Sequence, residues 1–136
     1  MIITGEVIHG AQLGRKMGFP TANIDAHNIN IDNGVYFSRV EFDGKHFKAM
    51  SNVGYRPSVD GRTRLLETHI FGFEGDLYGK TISVDLVCKI RDEQRFNSIE
   101  ALRNQLAADA ARCQAAGENS SREQQEGTAR GNSKRE

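Results

Sequence analysis

The 136-residue sequence predicts an all-β fold: a small antiparallel barrel, closed or nearly so, carrying one C-terminal helix. Three observations point to it. Short β-rich runs follow one another, separated by Gly, Asn and Asp turns. A single amphipathic helix comes after the last of them. Strands and helices never alternate, which argues against a doubly wound parallel sheet. Short strands that must hide their edges do so by closing on themselves, with the helix outside or across one end.

The elements follow in order. Residues 5–23, GEVIHGAQLGRKMGFPTAN, form a glycine-rich stretch ending in a segment stiffened by Pro20. Asn23–Asp32 mixes polar and β-branched residues and reads as a flap over a site. Val35–Phe42 is strand-like, Asp43-Gly44 suits a tight hairpin turn, and Phe47–Met50 is the return strand. Leu65–Phe73 is a further strand, which puts Glu67, His69, Phe71 and Phe73 on one face. Thr81–Arg91 is the clearest strand, with Ile82, Val84, Leu86, Cys88 and Ile90 on one face. The helix begins at Asn97 or Ser98, with Glu100 placed for a capping box, and carries Ile99, Leu102, Leu106 and Ala110 as its apolar stripe. From Ala115 to Glu136 the only apolar residues are alanines, which predicts a folded domain over 1–114 and a disordered tail over 115–136.

Charge and composition exclude several classes. Eighteen basic residues balance eighteen acidic ones, so no global field draws the chain onto nucleic acid or an anionic membrane. No apolar run approaches the ~20 residues of a membrane span, and the first residues lack a secretory pattern. Cys88 and Cys113 cannot build a disulfide framework, which fits a reducing cytoplasm. Cys113 reads as a passive small residue.

Three segments could carry chemistry. Gly10, Gly14 and Gly18 recur every four residues around Arg15 and Lys16. Such a segment either brings backbone N–H groups and charge to a phosphate or is a solvated loop. Thr21 and Asn23 point the same way in an extended segment and either share a divalent cation with phosphate oxygens or stabilise a turn. Glu67, beside aromatic residues, is either a general base or a strand-end carboxylate in water. His69 could serve as a base or a ligand, but no second His or Cys stands at zinc spacing.

Together these segments resemble the riboflavin kinase (flavokinase) family, and most of all the kinase module of bacterial bifunctional FAD synthetases. The matching pieces are GEVIHG (5–10), GRKMGFPTAN (14–23), NGVY (33–36), NVGYRPSV (52–59), ETHIF (67–71), DLYG (76–79), the strand ending Ile90-Arg91, and RFNSIEALRNQLAAD (95–109). They stand in family order. Ser58 replaces a frequent Thr, Asp32 a frequent Pro, and Gln94-Arg95 a Lys-containing stretch.

The resemblance implies a six-stranded, Greek-key-like antiparallel barrel with a C-terminal helix. It implies transfer of the ATP γ-phosphate to the ribityl 5′-hydroxyl of riboflavin, giving FMN and ADP. It implies Thr21 and Asn23 at Mg²⁺ (or another divalent ion such as Zn²⁺ or Mn²⁺) and Glu67 as the base. Gly10, Gly14, Arg15, Lys16 and Gly18 would hold the nucleotide phosphates, with Ile70, Gly72 and Tyr78 along the adenine and phosphate region. Asn23, Arg91 and Phe96 would face the flavin. The expected partners are riboflavin and ATP, with no nucleic acid, no membrane and no second subunit. The adenylyltransferase module is not in this sequence, so FAD synthesis is not expected. Two other readings compete: a flavin- or nucleotide-binding module without turnover, and a barrel for single-stranded nucleic acid, which would need a basic, aromatic-lined groove.

Overall fold

A computed structural model describes residues 1–10, 15 and 17–127, with residues 117–127 described for their backbone alone. Six strands form one sheet: β1 (Ile2–Glu6), β2 (Ala22–Asp25), β3 (Gly34–Phe42), β4 (Lys45–Ser58), β5 (Gly61–Ile70) and β6 (Thr81–Arg91). Their order is β1-β6-β3-β4-β5-β2, and all pairings are antiparallel. β3, β4 and β5 form a meander, and β6 returns to lie beside β3, which is the Greek-key arrangement. A bridge from Ile8 to Asn23 joins the chain after β1 to β2 and nearly closes the barrel. One helix, α1 (Ile99–Gly127), follows.

The predicted hairpin is present. Asp43 and Gly44 both have positive φ, 54° and 75°, as a two-residue turn matching the strand twist requires. The return strand β4 is much longer than the apolar run 47–50 suggests, because its polar second half still pairs with β5. β5 starts at Gly61 and ends at Ile70. Gly72, with φ of 77°, then turns the chain, so Phe73 leaves the face of Glu67 and His69. It packs edge-on against Phe42 and Phe47 beside the barrel interior instead.

Two cores share the sheet. The interior holds Tyr36, Val40, Val53, Leu66, Ile82 and Val84. The second lies under α1 and holds Val35, Phe37, Met50, Ile90 and Cys113. β3 is buried on both faces because α1 covers its outer one. Inside the barrel, Ser38, Ser51 and Thr68 link hydroxyl to hydroxyl at 2.8 Å each, so three buried polar groups satisfy one another.

Three expectations differ from the structure. In β6, pairing steps from Leu86–Ser38 to Cys88–Phe37, so Val87 is an extra residue in a bulge. The bulge leaves Cys88 exposed, and with a second register shift that skips Ile90 the strand turns Ile90 toward α1 rather than the interior. At the helix start, Ser98 Oγ accepts from the Ala101 N–H at 3.0 Å, so Ser98 is the cap and Glu100 falls one residue short of a capping box. Ile99 is then 60% exposed, and the buried stripe shifts to Leu106, Ala110, Cys113 and Ala116.

α1 continues to Gly127, beyond the boundary at Ala115. Residues 128–136 lie outside the described residues. Burial pushes the Cys113 thiol up to about 12, so it stays protonated and packs as a small apolar group.

Candidate active site

Two cavities border β2 and β5 and share Thr21 and His69 as a common wall. The first, about 370 Å³, is lined by Gly10, Arg15, Thr21, Asn23, Ile70 and Tyr78, among others. The second, about 280 Å³, is lined by Phe19, Met50, Asn52, Arg56 and Glu67, and by Leu102 and Leu106 of α1.

Backbone register sets the polar groups between them. Antiparallel pairing places Asn23 of β2 directly opposite Glu67 of β5, and Glu67 opposite Asn52 of β4. Cross-strand partners point to the same face, so these three side chains form a row on the outside of the barrel. Their neighbours Ile24 and Leu66 point inward to the core. Thr21 Oγ1 donates to Asn23 Oδ1 at 3.1 Å, which brings a hydroxyl and an amide oxygen together. His69 Nδ1 donates to the Pro20 carbonyl at 2.8 Å, and its ring meets Phe19 and Phe71 edge-on. That bond ties the Pro20–Thr21 segment to β5, which is the use the structure makes of His69.

Around the first cavity, the turn at 77–80 is fixed by pairing with Val7: Val7 N–H donates to Lys80 O, and Gly79 N–H to Val7 O, at 2.9 Å each. Asp76 Oδ1 accepts from the Tyr78 N–H at 2.9 Å and sets the turn that presents the Tyr78 ring. That ring stacks on His9, with centroids 3.7 Å apart. Gly10 lies against Asn23. A Cβ at residue 10 would stand 2.3 Å from Asn23 Nδ2, and Asn23 is only 5% exposed. Gly10→Ala is therefore expected to push the Asn23–Thr21 pair out of place. It should lower turnover by about tenfold or more while the fold survives. Steady-state kinetics beside a thermal melt checks this.

Around the second cavity, Arg56 donates to Glu67 Oε1 from both Nε (3.1 Å) and Nη2 (2.7 Å). The side chains are 25% and 16% exposed. Burial disfavours the guanidinium charge, but Glu67 and Glu93 outweigh it and raise the Arg56 pKa above its ordinary value. Asn52 lines this cavity, and its Oδ1 is buried and accepts no hydrogen bond among the described residues.

The sequence-predicted residues divide accordingly. Gly10, Arg15, Thr21, Asn23, Ile70 and Tyr78 gather at the first cavity, and Glu67 lines the second beside Thr21. Gly18 (φ 89°) and Gly72 (φ 77°) serve turns and line neither cavity. Arg91 and Phe96 also line neither. The Arg91 guanidinium is engaged with Asp109 and lies 5.9 Å from the Phe96 ring centre. Gly14 and Lys16 lie outside the described residues.

The expected flap is tethered. Arg64 donates to the carbonyls of Ala26 (3.1 Å), Ile29 (2.6 Å) and Ile31, and to Asn33 Oδ1 (2.9 Å). Tyr36 OH donates to Asp32 O at 2.7 Å. Sequence reasoning missed Arg56, Asn52, Leu102 and Leu106 as cavity residues. Arg56 and Asn52 lie in the NVGYRPSV segment that it did single out.

A family model described as Flavokinase, riboflavin kinase, matches residues 1–116. The bifunctional riboflavin kinase/FMN adenylyltransferase of Haemophilus influenzae is 43% identical over 109 residues, 79% of this chain and 35% of that protein. An RNA-binding riboflavin kinase, RibR, of Bacillus subtilis is 41% identical over 109 residues, 79% of this chain and 47% of its own length. A solved chain named as a macrolide-efflux protein from Streptococcus pneumoniae superposes with a TM-score of 0.68 at 36% identity. The match covers 81% of this chain and 37% of that one. The chain thus spans less than half the length of each of these proteins.

Proposed function

The chain belongs to the riboflavin kinase family, and on that premise we propose that it transfers the γ-phosphoryl group of ATP to the ribityl 5′-hydroxyl of riboflavin. The observation that carries the reading is the shared wall. A nucleotide in the first cavity and an alcohol in the second would meet at Thr21, within reach of Glu67 on the neighbouring strand.

Phosphoryl transfer needs alignment and charge neutralisation more than covalent help from the protein. Arg15 and the backbone around Gly10 would hold the phosphates, and the stacked His9–Tyr78 pair would border the base. The apolar side chains of Met50, Leu102 and Leu106 suit the flat ring system of a flavin. The hydroxyl oxygen attacks the γ-phosphorus, the bond to the β–γ bridging oxygen breaks, and ADP leaves. Glu67 accepts the hydroxyl proton.

Thr21 Oγ1 and Asn23 Oδ1 are neutral oxygens held 3.1 Å apart, a donor pair that fits Mg²⁺. A cation of this kind takes few protein ligands and fills its shell with phosphate oxygens and water. When bound, it neutralises the charge on the transferring phosphoryl group.

Incubation of the chain with riboflavin, ATP and Mg²⁺ is expected to yield FMN and ADP in equal amounts. Binding of both ligands without FMN would leave a binding module. Zero net charge provides no global field toward nucleic acid. Because one relative is named as RNA-binding, a salt-dependent gel shift is the informative control.

A further inference from the structure

Arg56 sits between two carboxylates from distant parts of the chain. Both Nε and Nη2 donate to Oε1 of Glu67, and Nη1 donates to Oε2 of Glu93 at 3.2 Å and to the Tyr55 carbonyl at 2.8 Å. Every nitrogen of the guanidinium is therefore engaged, and the side chain has one orientation. Gly54 makes this arrangement fit: a Cβ at residue 54 would lie 2.2 Å from Glu93 Oε2. Glu93 belongs to the segment between β6 and α1, so it reaches Arg56 only because that segment passes over Gly54 on β4.

The two bonds to Glu67 converge on a single oxygen. Oε2 of Glu67 takes neither of them. A guanidinium that donates twice to one oxygen holds that oxygen in place and leaves the other for a substrate proton. Among the described residues, Arg56 lines the second cavity and not the first.

The geometry points to Arg56 as a positioning residue for Glu67, itself aimed by Glu93 across Gly54. It acts on the phosphoryl-transfer step and not on nucleotide binding. This inference rests on the reading of Glu67 as the proton acceptor.

The test is a kinetic cycle on the full chain with riboflavin, ATP and Mg²⁺. Arg56→Met is expected to lower kcat by about tenfold or more while the KM for ATP stays within about twofold. Arg56→Lys restores part of the loss, because an ammonium keeps the charge without the paired N–H groups. In a Glu67→Gln background, Arg56→Met should produce no further loss in kcat, since residues that act as a unit are not additive. Gly54→Ala, which keeps all three charged side chains, is expected to lower kcat about threefold at unchanged melting temperature. It serves as the readout if Arg56→Met fails to fold.

Wild-type kcat in Arg56→Met or in Gly54→Ala, with Glu67→Gln inactive, overturns the inference alone. Equal fractional losses in both backgrounds assign Arg56 a merely structural role and overturn it too. Wild-type turnover in Glu67→Gln instead overturns the reading of Glu67 on which it stands.

Discussion

Glu67→Gln is expected to bind ATP as the parent does and to lose FMN formation by ~10²-fold or more. The argument begins with register. Glu67 stands opposite Asn23 across β2–β5, so its carboxyl group and the Thr21–Asn23 oxygen pair share one outer face of the barrel. The side chain is 16% exposed and lines the cavity that adjoins the nucleotide side through Thr21. Glutamine has the same shape and still offers an oxygen to Arg56, so the fold and the cavity walls are retained. It cannot take a proton. A ~10²-fold loss corresponds to about 2.7 kcal/mol of barrier, the usual contribution of one proton-transfer group. Glu67 does not line the first cavity, so ATP affinity should not move. Single-turnover FMN formation beside ATP titration measures both, and wild-type turnover in this variant removes Glu67 from the chemistry.

Arg91→Met is expected to destabilise the protein by about 3–5 kcal/mol. Asp109 on α1 is only 3% exposed. It accepts from Arg91 Nε at 3.0 and 3.1 Å, from Nη2 at 2.7 Å, and from Gln105 Nε2 at 2.9 Å. Removing the arginine leaves a carboxylate buried without its cation, which costs far more than the pair contributes by existing. The loss falls on the contact between α1 and the barrel. Leu102 and Leu106, which the second cavity borrows from α1, should shift with it. The KM for riboflavin is therefore expected to rise in this variant while the KM for ATP is unchanged. Arg91→Met combined with Asp109→Leu should recover most of the stability, because an apolar pair needs no compensation. Chemical denaturation of the single and double variants checks this. Undiminished stability in the single variant would return Arg91 to the role of a flavin contact that the family resemblance suggests.

Much of this protein is written in local patterns. The period-two runs at 35–42 and 81–91, the Asp43-Gly44 turn and the Leu102–Leu106–Ala110 spacing each concern residues within a few positions of one another. Such signals fix backbone shape through φ/ψ preference and side-chain spacing, before any distant contact forms. The order of the glycine-rich, Pro-Thr-Ala-Asn and Glu-Thr-His segments likewise marked the family, and those segments do converge on adjoining cavities. Only the folded chain decided which cation meets which carboxylate. Arg56 joins Glu67 and Glu93, Arg91 is taken by Asp109, and Arg64 pins residues 26–33. The register shifts at Val87 and Ile90 decided that Ile90 faces α1. Partners of this kind are chosen by strand register and by how a helix lies on the sheet. Both follow from burying apolar surface across the whole domain, and no stretch of neighbouring residues encodes either.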